Sequence, residues 1–408
     1  MSNKNGIVRL KDLPEKSVCV RLNDKIQKSM IESALKLVPG RYNLAKRLSV
    51  NVATIYDFEK GRFRSVSLDF LKKLSSFLVE NGYEEFSLEK LETEFIWIKT
   101  KWAGKCIFNP KFSINFNTKE GVKIISGIFF DGGLTSGVYP FYTNNEENLV
   151  NQMISNVNSV IGNIEYIKRK DENNFRVEFP KIFGYILLNG LEILPGSKLF
   201  NDPPIPEFIM KNPILYLNFI QQAFDDEGTV NLGRSDGGSK AIQLWQYNSR
   251  SVSPIRLVRL KQLLEKVGID VSGPYGPTRI YNSKKGYTSY GWIIQISNQA
   301  DIRKFAERIN FSLPKKKDKL VSLLNSYKTP LRFKRGRAEE EILKTCKELK
   351  NENKRLTIKS IARKTNRKRY YISQLTSRLA KEGRLKVTKD RMVIKGISGF
   401  QEKEFDLV

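Results

Sequence analysis

The sequence predicts an α+β protein built on an internal duplication. Three observations carry that prediction. Two stretches echo each other, KIISGIFFDGGLTSG at Lys123–Gly137 and YLNFIQQAFDDEGTVNL at Tyr216–Leu232. The residues after each stretch run in a helix–strand–strand–helix order. The segments before about residue 100 and after about residue 330 read as further units outside the repeat.

Each stretch begins as an apolar helix. Val122, Ile125 and Phe129 fall at i, i+3 and i+7, and so do Leu217, Ile220 and Phe224. Each ends in an acidic–glycine step followed by a β-prone residue, which takes the chain out of the helix into a strand. The closing glycines, taken as Gly133 and Gly228, lie 95 residues apart. That period suggests two half-domains whose leading helices pack side by side about a pseudo-two-fold axis.

The remaining elements follow in order. Met1–Lys25 reads as a polar, basic arm with one short strand at Val18–Leu22, and helices are expected from Ile26, through Ser67–Leu78 and over Ser87–Lys99. In the first half, Val138–Thr143 is a strand, Glu146–Ile161 a helix, Ile164–Arg169 and Asn174–Phe179 strands, and Lys181–Leu188 a helix. The Pro-rich segment Leu194–Pro206 links the halves. The second half has strands near Thr229–Leu232 and Ala241–Tyr247, helix Pro254–Val267, strands Gly273–Tyr281 and Tyr287–Ser297, and helix Asp301–Ile309. The last unit has helices Ala338–Lys350, Ile358–Ala362 and Asn366–Lys381, then strands Arg384–Thr388 and Arg391–Lys395.

Composition narrows the chemistry. In 408 residues, 71 Lys and Arg stand against 43 Asp and Glu, a formal charge of +28 that favours a polyanionic partner. There is no histidine, which removes imidazole bases, Ser-His-Asp triads and His-based metal sites. Cys19, Cys106 and Cys346 are scattered and odd in number, against a disulfide framework or zinc cluster. No signal pattern or apolar run of membrane-spanning length is evident, so the expectation is an intracellular protein, cytoplasmic and nucleoid-associated in a prokaryotic cell, with no membrane partner.

Both echoing stretches resemble the LAGLIDADG motif of homing endonucleases. Aligned on the final glycine, the second copy runs Ile220–Gly228 with its acid at Glu227; the first runs Ile125–Gly133 with Gly132 at the acid position and Asp131 one residue early. The resemblance implies a central saddle of two αββαββα-type repeats, whose motif helices meet at the midline and whose sheets straddle duplex DNA. It also implies that the motif acids bind a divalent metal such as Mg²⁺, which activates water for phosphodiester cleavage. Glu227 is the expected catalytic and metal-binding residue; Asp131 is a second candidate for both roles, and Asp226 or Asp225 could compensate in catalysis. Strand residues expected to contact DNA are Arg234, Lys240, Gln243, Gln246, Asn248, Arg279, Asn282, Lys284 and Lys285.

The flanks carry resemblances of their own. Leu44–Gly61 is similar to the helix-turn-helix of the Xre/Cro repressors: Leu44, Ala45 and Leu48 form an apolar face, Val50 fills the turn, Asn51 caps the next helix, and Ile55 and Phe58 hold that helix to the core. Ala53, Thr54, Tyr56 and Asp57 are left to read bases, with Lys46, Arg62 and Arg64 near phosphates. Residues 331–400 resemble a winged helix, within a C-terminal segment of 23 Lys and Arg against 10 Asp and Glu. Its candidate contacts are Arg367, Lys368, Arg369, Tyr370, Gln374, Ser377 and Arg378 on the recognition helix, with Lys389 and Arg391 on the wing. The expected domains are an arm (1–25), an all-α helix-turn-helix domain (26–100), the two repeats (101–205 and 206–330), the winged helix (331–400) and a tail (401–408).

Taken alone, the sequence favours a sequence-specific DNA-binding protein with a long duplex target, acting as a transcriptional regulator whose cleavage is weakened by the vacant acid at Gly132. An active Mg²⁺-dependent homing endonuclease is the alternative, and an RNA maturase a third reading that helix-turn-helix units suit less well. One chain already supplies both half-site readers, so a monomer is expected.

Overall fold

A computed structural model describes residues 5–60, 65–102, 104–233, 239–283, 286–327, 337–389 and 403–408. The chain forms two compact units: Met1–Thr229 with Ile242–Lys317, and Val230–Ala241 with Asp318–Val408.

The first unit is organised around two packed helices, Lys119–Phe129 and Pro213–Glu227. Their facing residues are small, aromatic or amide-bearing, and nearly all are buried. Ser126 Oγ donates to Phe219 O across the interface at 2.9 Å, and Phe130 meets Phe219 edge to face. Thr118 caps the first helix through Gly121 N; Asn212 caps the second through Ile214 N, with Pro213 at the first helical position. Behind each lies another helix, Glu147–Ile161 in the first half and Ile255–Lys266 in the second.

Each half also carries a four-stranded antiparallel sheet. The first runs Ile167–Asp171, Asn174–Glu178, Pro140–Asn144, Gly132–Leu134. The second runs Gly228–Leu232, Lys240–Asn248, Thr288–Ile296, Ser272–Asn282. The helix–strand–strand–helix order is therefore present in both halves, within three residues of the expected boundaries.

The N-terminal region departs from the expected all-α domain. Helices Asp24–Leu37, Arg41–Leu48, Val52–Glu59 and Leu68–Glu80 are present. Alongside them a five-stranded sheet runs Val66–Ser67, Val18–Leu22, Phe95–Thr100, Cys106–Phe108, Asn163–Ile164. The helix expected over Ser87–Lys99 is one turn, Leu88–Leu91, and then a strand. Phe95 and Ile98 are buried while Ile96 is exposed, and such aromatic and β-branched residues pack better on a pleated sheet than along a helix. Nor is the start of the chain an arm. Val8, Leu10 and Leu13 are buried, and Leu10 N donates to the buried Glu92 carboxylate at 2.9 Å.

The second unit contains helices Ala338–Asn351, Ile358–Thr365 and Arg369–Lys381 around a core of Ile342, Cys346, Leu349, Ile361, Ile372, Leu375 and Leu379. Strand Leu385–Lys389 pairs with Glu404–Leu407, so the expected tail is a strand that seals Phe405 into that core. The wing strand expected at Arg391–Lys395 lies outside the described residues.

The two strands that follow the motif helices begin at glycines with no room for a side chain. A Cβ on Gly132 would stand 2.5 Å from Phe141 O and 3.1 Å from Ile128 Cα; one on Gly228 would stand 2.4 Å from Phe224 O and 2.9 Å from Phe224 Cα. Each glycine presses on the residue four before it, so Gly132 and Gly228 are equivalent. The expected register, drawn from Gly133, is one residue out: Gly132 is the closing glycine, and Asp131 stands where Glu227 stands. Gly132→Ala should lower stability by about 1–3 kcal/mol, the usual penalty for overpacking, read as a fall in the denaturation midpoint. Gly132→Asp should fall at least as far and gain no activity.

Candidate metal centre and nucleic-acid interface

Asp131 and Glu227 each immediately precede the glycine that opens the following strand, and each carboxylate is held by an amide from the second strand of its own half. Asn144 Nδ2 donates to Asp131 Oδ2 at 2.6 Å, and Gln246 hydrogen-bonds to Glu227. Burial raises the pKa of both acids. Asp131 is pushed further by the charge of Glu227, and rises from 3.8 to about 7. A divalent cation beside these two acids, one of them raised further by the other's charge, would offset charge that the fold alone leaves poorly compensated. Among the described residues no group of three or more His, Cys, Asp or Glu could hold a metal. A cation here would therefore rest on two protein carboxylates, with water and phosphate oxygens completing its shell, which fits the habit of Mg²⁺.

Two lysines, neither anticipated from sequence, frame this pair. Lys198 Nζ donates to Phe130 O and, at 3.4 Å, to Ile128 O, at the end of the first motif helix. Lys316 Nζ donates to Phe224 O and Asp225 O at 3.0 and 2.5 Å, at the end of the second. Each ammonium thus sits at the negative end of a helix dipole. Burial lowers the pKa of both; Lys198 comes down to about 8, with the Arg256 charge adding to the effect of burial.

The neighbouring acids are tied up otherwise. Asp225 accepts from Ser312 N and Oγ at 2.9 and 2.6 Å, a structural tether between helix end and loop. Asp226 Oδ1 accepts from Tyr142 Oη at 2.6 Å and Gln222 Nε2 at 2.9 Å. Its carboxyl is raised well above the usual carboxylate range, first by burial and then by the charge of Asp131. Gln222, buried in the second motif helix, is satisfied by this bond.

Arg256 is buried behind the site. Its Nε donates to Gln246 Oε1 at 2.6 Å, Nη2 to Tyr247 O at 3.1 Å and Nη1 to Lys198 O at 3.1 Å, with Asp202 Oδ1 at 3.5 Å. It therefore fixes the amide that holds Glu227 and the backbone that carries Lys198.

The strands separate the expected DNA contacts by parity. Side chains alternate faces along a strand. Gln243, Trp245 and Tyr247 lie on the open face of the second sheet, where Gln243 pairs with Gln295 and Arg279 stacks 4.0 Å over the Trp245 ring. Gln246 and Asn248 have the other parity and are buried, the latter donating to Asp202 at 3.1 Å, so both are corrected from base readers to supports. Lys240 is likewise engaged, donating to Ser326 O at 2.7 Å over the Tyr327 ring. Arg279 and Asn282 are exposed, with Asn282 accepting from Thr288 Oγ1 at 2.9 Å. Arg234, Lys284 and Lys285 lie outside the described residues. The first sheet adds Arg169 and Arg176, which pair in register on the face of Thr143; Arg176 lies 4.3 Å over the Phe141 ring. Alternation along Asn174–Glu178 was the sequence signal for them.

In the N-terminal helices Asn51 accepts from Ala53 N at 2.8 Å as the cap. Lys46 and Ala53 are exposed, Thr54, Tyr56 and Asp57 half-buried, and Arg41 lies over the Tyr56 ring while pairing with Glu59. Arg62 and Arg64 lie outside the described residues. In the second unit Lys368, Tyr370, Gln374, Ser377 and Arg378 are exposed along or just before helix Arg369–Lys381, and Arg367 and Arg369 are half-buried. Gln374 donates to Tyr370 Oη at 2.9 Å and Arg378 pairs with Glu339 at 3.1 Å. The Lys389 side chain and Arg391 lie outside the described residues.

Because the Asp131 pKa rises on folding, the folded chain keeps a proton that the unfolded chain releases, and stability is lost as pH climbs from 3.8 to about 7. Metal-free wild type should therefore lose thermal stability relative to Asp131→Asn between about pH 5 and about pH 8, by an amount on the order of a few kcal/mol. Parallel melting curves for the two proteins across that range would contradict the assignment.

No protein-family model matches the chain. Among curated proteins it is 28% identical over 189 residues to Homing endonuclease I-ApeI of Aeropyrum pernix, spanning 45% of this chain and 76% of that protein. Among solved structures it is similar to I-DmoI in complex with DNA and Mn (TM-score 0.32, 18% identity, 49% of this chain and 99% of that one). It is also similar to full-length DUF199/WhiA from Thermatoga maritima (TM-score 0.33, 12% identity, 65% of this chain and 92% of that one). The match to I-ApeI, taken with an acid–glycine step just after each of two packed helices, supports the resemblance to the LAGLIDADG homing endonuclease family.

Proposed function

We propose that the chain is a metal-dependent endonuclease that binds and cuts double-stranded DNA. The observation that carries this reading is the register of the two motif helices, which brings Asp131 and Glu227 to equivalent ends with coupled charges. The reading as a regulator that no longer cuts drew in part on a vacant acid at Gly132, a position that this register assigns to the closing glycine. The saturating basic charge and the open sheet faces carrying Gln243, Arg279, Arg169 and Arg176 support a duplex partner.

In this reading Asp131 and Glu227 hold Mg²⁺, which when bound supplies a Lewis acid and lowers the pKa of coordinated water. Asn144 and Gln246 fix the two carboxylates that would hold the metal. Arg256 holds Gln246 in the orientation that donates to Glu227. Lys198 and Lys316 bring positive charge to the ends of the motif helices, where the extra negative charge of the phosphodiester transition state develops. Asp226 bridges Tyr142 and Gln222 and keeps the interface closed beside the acids. The helix-turn-helix around Asn51 and the winged-helix unit around Arg369–Lys381 supply further groove contacts outside the central half-sites.

Incubation with a fragmented genomic library and Mg²⁺ or Mn²⁺ should give double-strand breaks with short 3′ overhangs. Glu227→Gln and Asp131→Asn should each reduce cutting by roughly 10³-fold, in line with removal of a principal electrostatic group, while retaining duplex binding. A wild-type chain that protects a long site yet never cuts it would restore the regulator. In a melting assay without DNA, millimolar Mn²⁺ should raise the midpoint of the wild type and leave the double variant unmoved, because only ligands of the native state stabilise it.

A further inference from the structure

A second feature of the first unit lies outside the acids and the open sheet faces. A cavity of about 190 Å³ is lined by three lysines, Lys16, Lys101 and Lys181, and three aromatic rings, Trp102, Tyr139 and Tyr185. No carboxylate lines it. None of the three lysines forms an ion pair among the described residues. Two of the ammonium groups rest instead on the rings, Lys101 5.3 Å from the Trp102 centroid and Lys181 5.9 and 5.6 Å from those of Tyr139 and Tyr185. Trp102 is 90% exposed.

An exposed indole gains nothing from the core, and in a chain of +28 charge three more clustered cations add self-repulsion. Both become favourable if a ligand offers a π-face and a phosphate together. Aromatic planes interleaved with cations are the means by which proteins hold single-stranded nucleic acid, each base stacking on a ring and each phosphate meeting a cation. A base inside a duplex has both faces covered by its neighbours, so these rings cannot stack on it. Lysine suits the task, being a compact point charge that follows a phosphate without demanding bidentate geometry.

We propose that this pocket binds an unpaired nucleotide, its base against Trp102 and the tyrosines and its phosphate among Lys16, Lys101 and Lys181. It goes beyond the cleavage reading and does not depend on it, since no metal and no scissile bond is involved. Strand ends left unpaired in DNA, and free nucleotides, both present this chemistry.

The test uses the full chain in EDTA with a fluorescein-labelled eight-residue oligothymidylate, followed by anisotropy. Trp102→Ala should weaken binding at least tenfold, Trp102→Phe should restore most of it, and the Lys101→Ala/Lys181→Ala double variant should both weaken it and flatten its salt dependence. Binding of a 20-base-pair duplex should change less than twofold in Trp102→Ala. Because Trp102 is exposed, its replacement leaves the fold intact. Competition by thymidine 5′-monophosphate at equal nucleotide concentration, lost in Trp102→Ala, would identify a mononucleotide as the ligand; no such competition identifies a strand. Equal affinity of Trp102→Ala and wild type for the oligonucleotide would overturn the proposal, as would a parallel loss of duplex and single-strand binding.

Discussion

The constraint on which the core depends is that two helices must lie close enough for their last residues to share one electrostatic site. Ser126 reaching Phe219 O, Phe130 against Phe219, and Gln222 bonded to Asp226 all serve that approach. The strand after each helix then begins at a glycine that cannot carry a side chain, and the acid just before it is left beside the helix end. The arrangement works against folding stability, since it gathers Asp131, Asp226 and Glu227 away from water. Lys198 and Lys316, Asn144 and Gln246, and the dipole-capping contacts offset part of that penalty, and a bound cation would offset more.

Much of this was legible in the sequence. The order of helices and strands in both repeats followed from periodicity, as did the apolar stripes of the motif helices. The register of the first motif did not. Gly132 and Gly133 stand in tandem, and only the contact with Phe141 O, across a strand pair, decides which of them is pressed against the helix. The choice moved an acid by one residue and with it the reading of the whole site.

Other gaps have equally local causes. Lys198 and Lys316 are remote in sequence from the acids they flank, so no spacing rule could attach them. Gln246 and Asn248 looked like surface amides, but counting parity from Gln243 turns both inward. Phe95–Thr100 is apolar enough to continue a helix, and its aromatic and β-branched residues instead pack on a pleated sheet. The C-terminal strand Glu404–Leu407 was hidden by its acidic residues, although Phe405 alone supplies the apolar side chain the core needs.

Arg256 joins parts that the duplication would otherwise leave independent. One guanidinium belonging to the second repeat grips the chain at Lys198, in the connection contributed by the first, while it orients the amide beside Glu227. The ancestral symmetry is thus broken at a single keystone. Grafting the first half onto a foreign second half would remove the mounting of Lys198 unless the new partner brought an equivalent arginine, so the halves of this chain have ceased to be interchangeable modules.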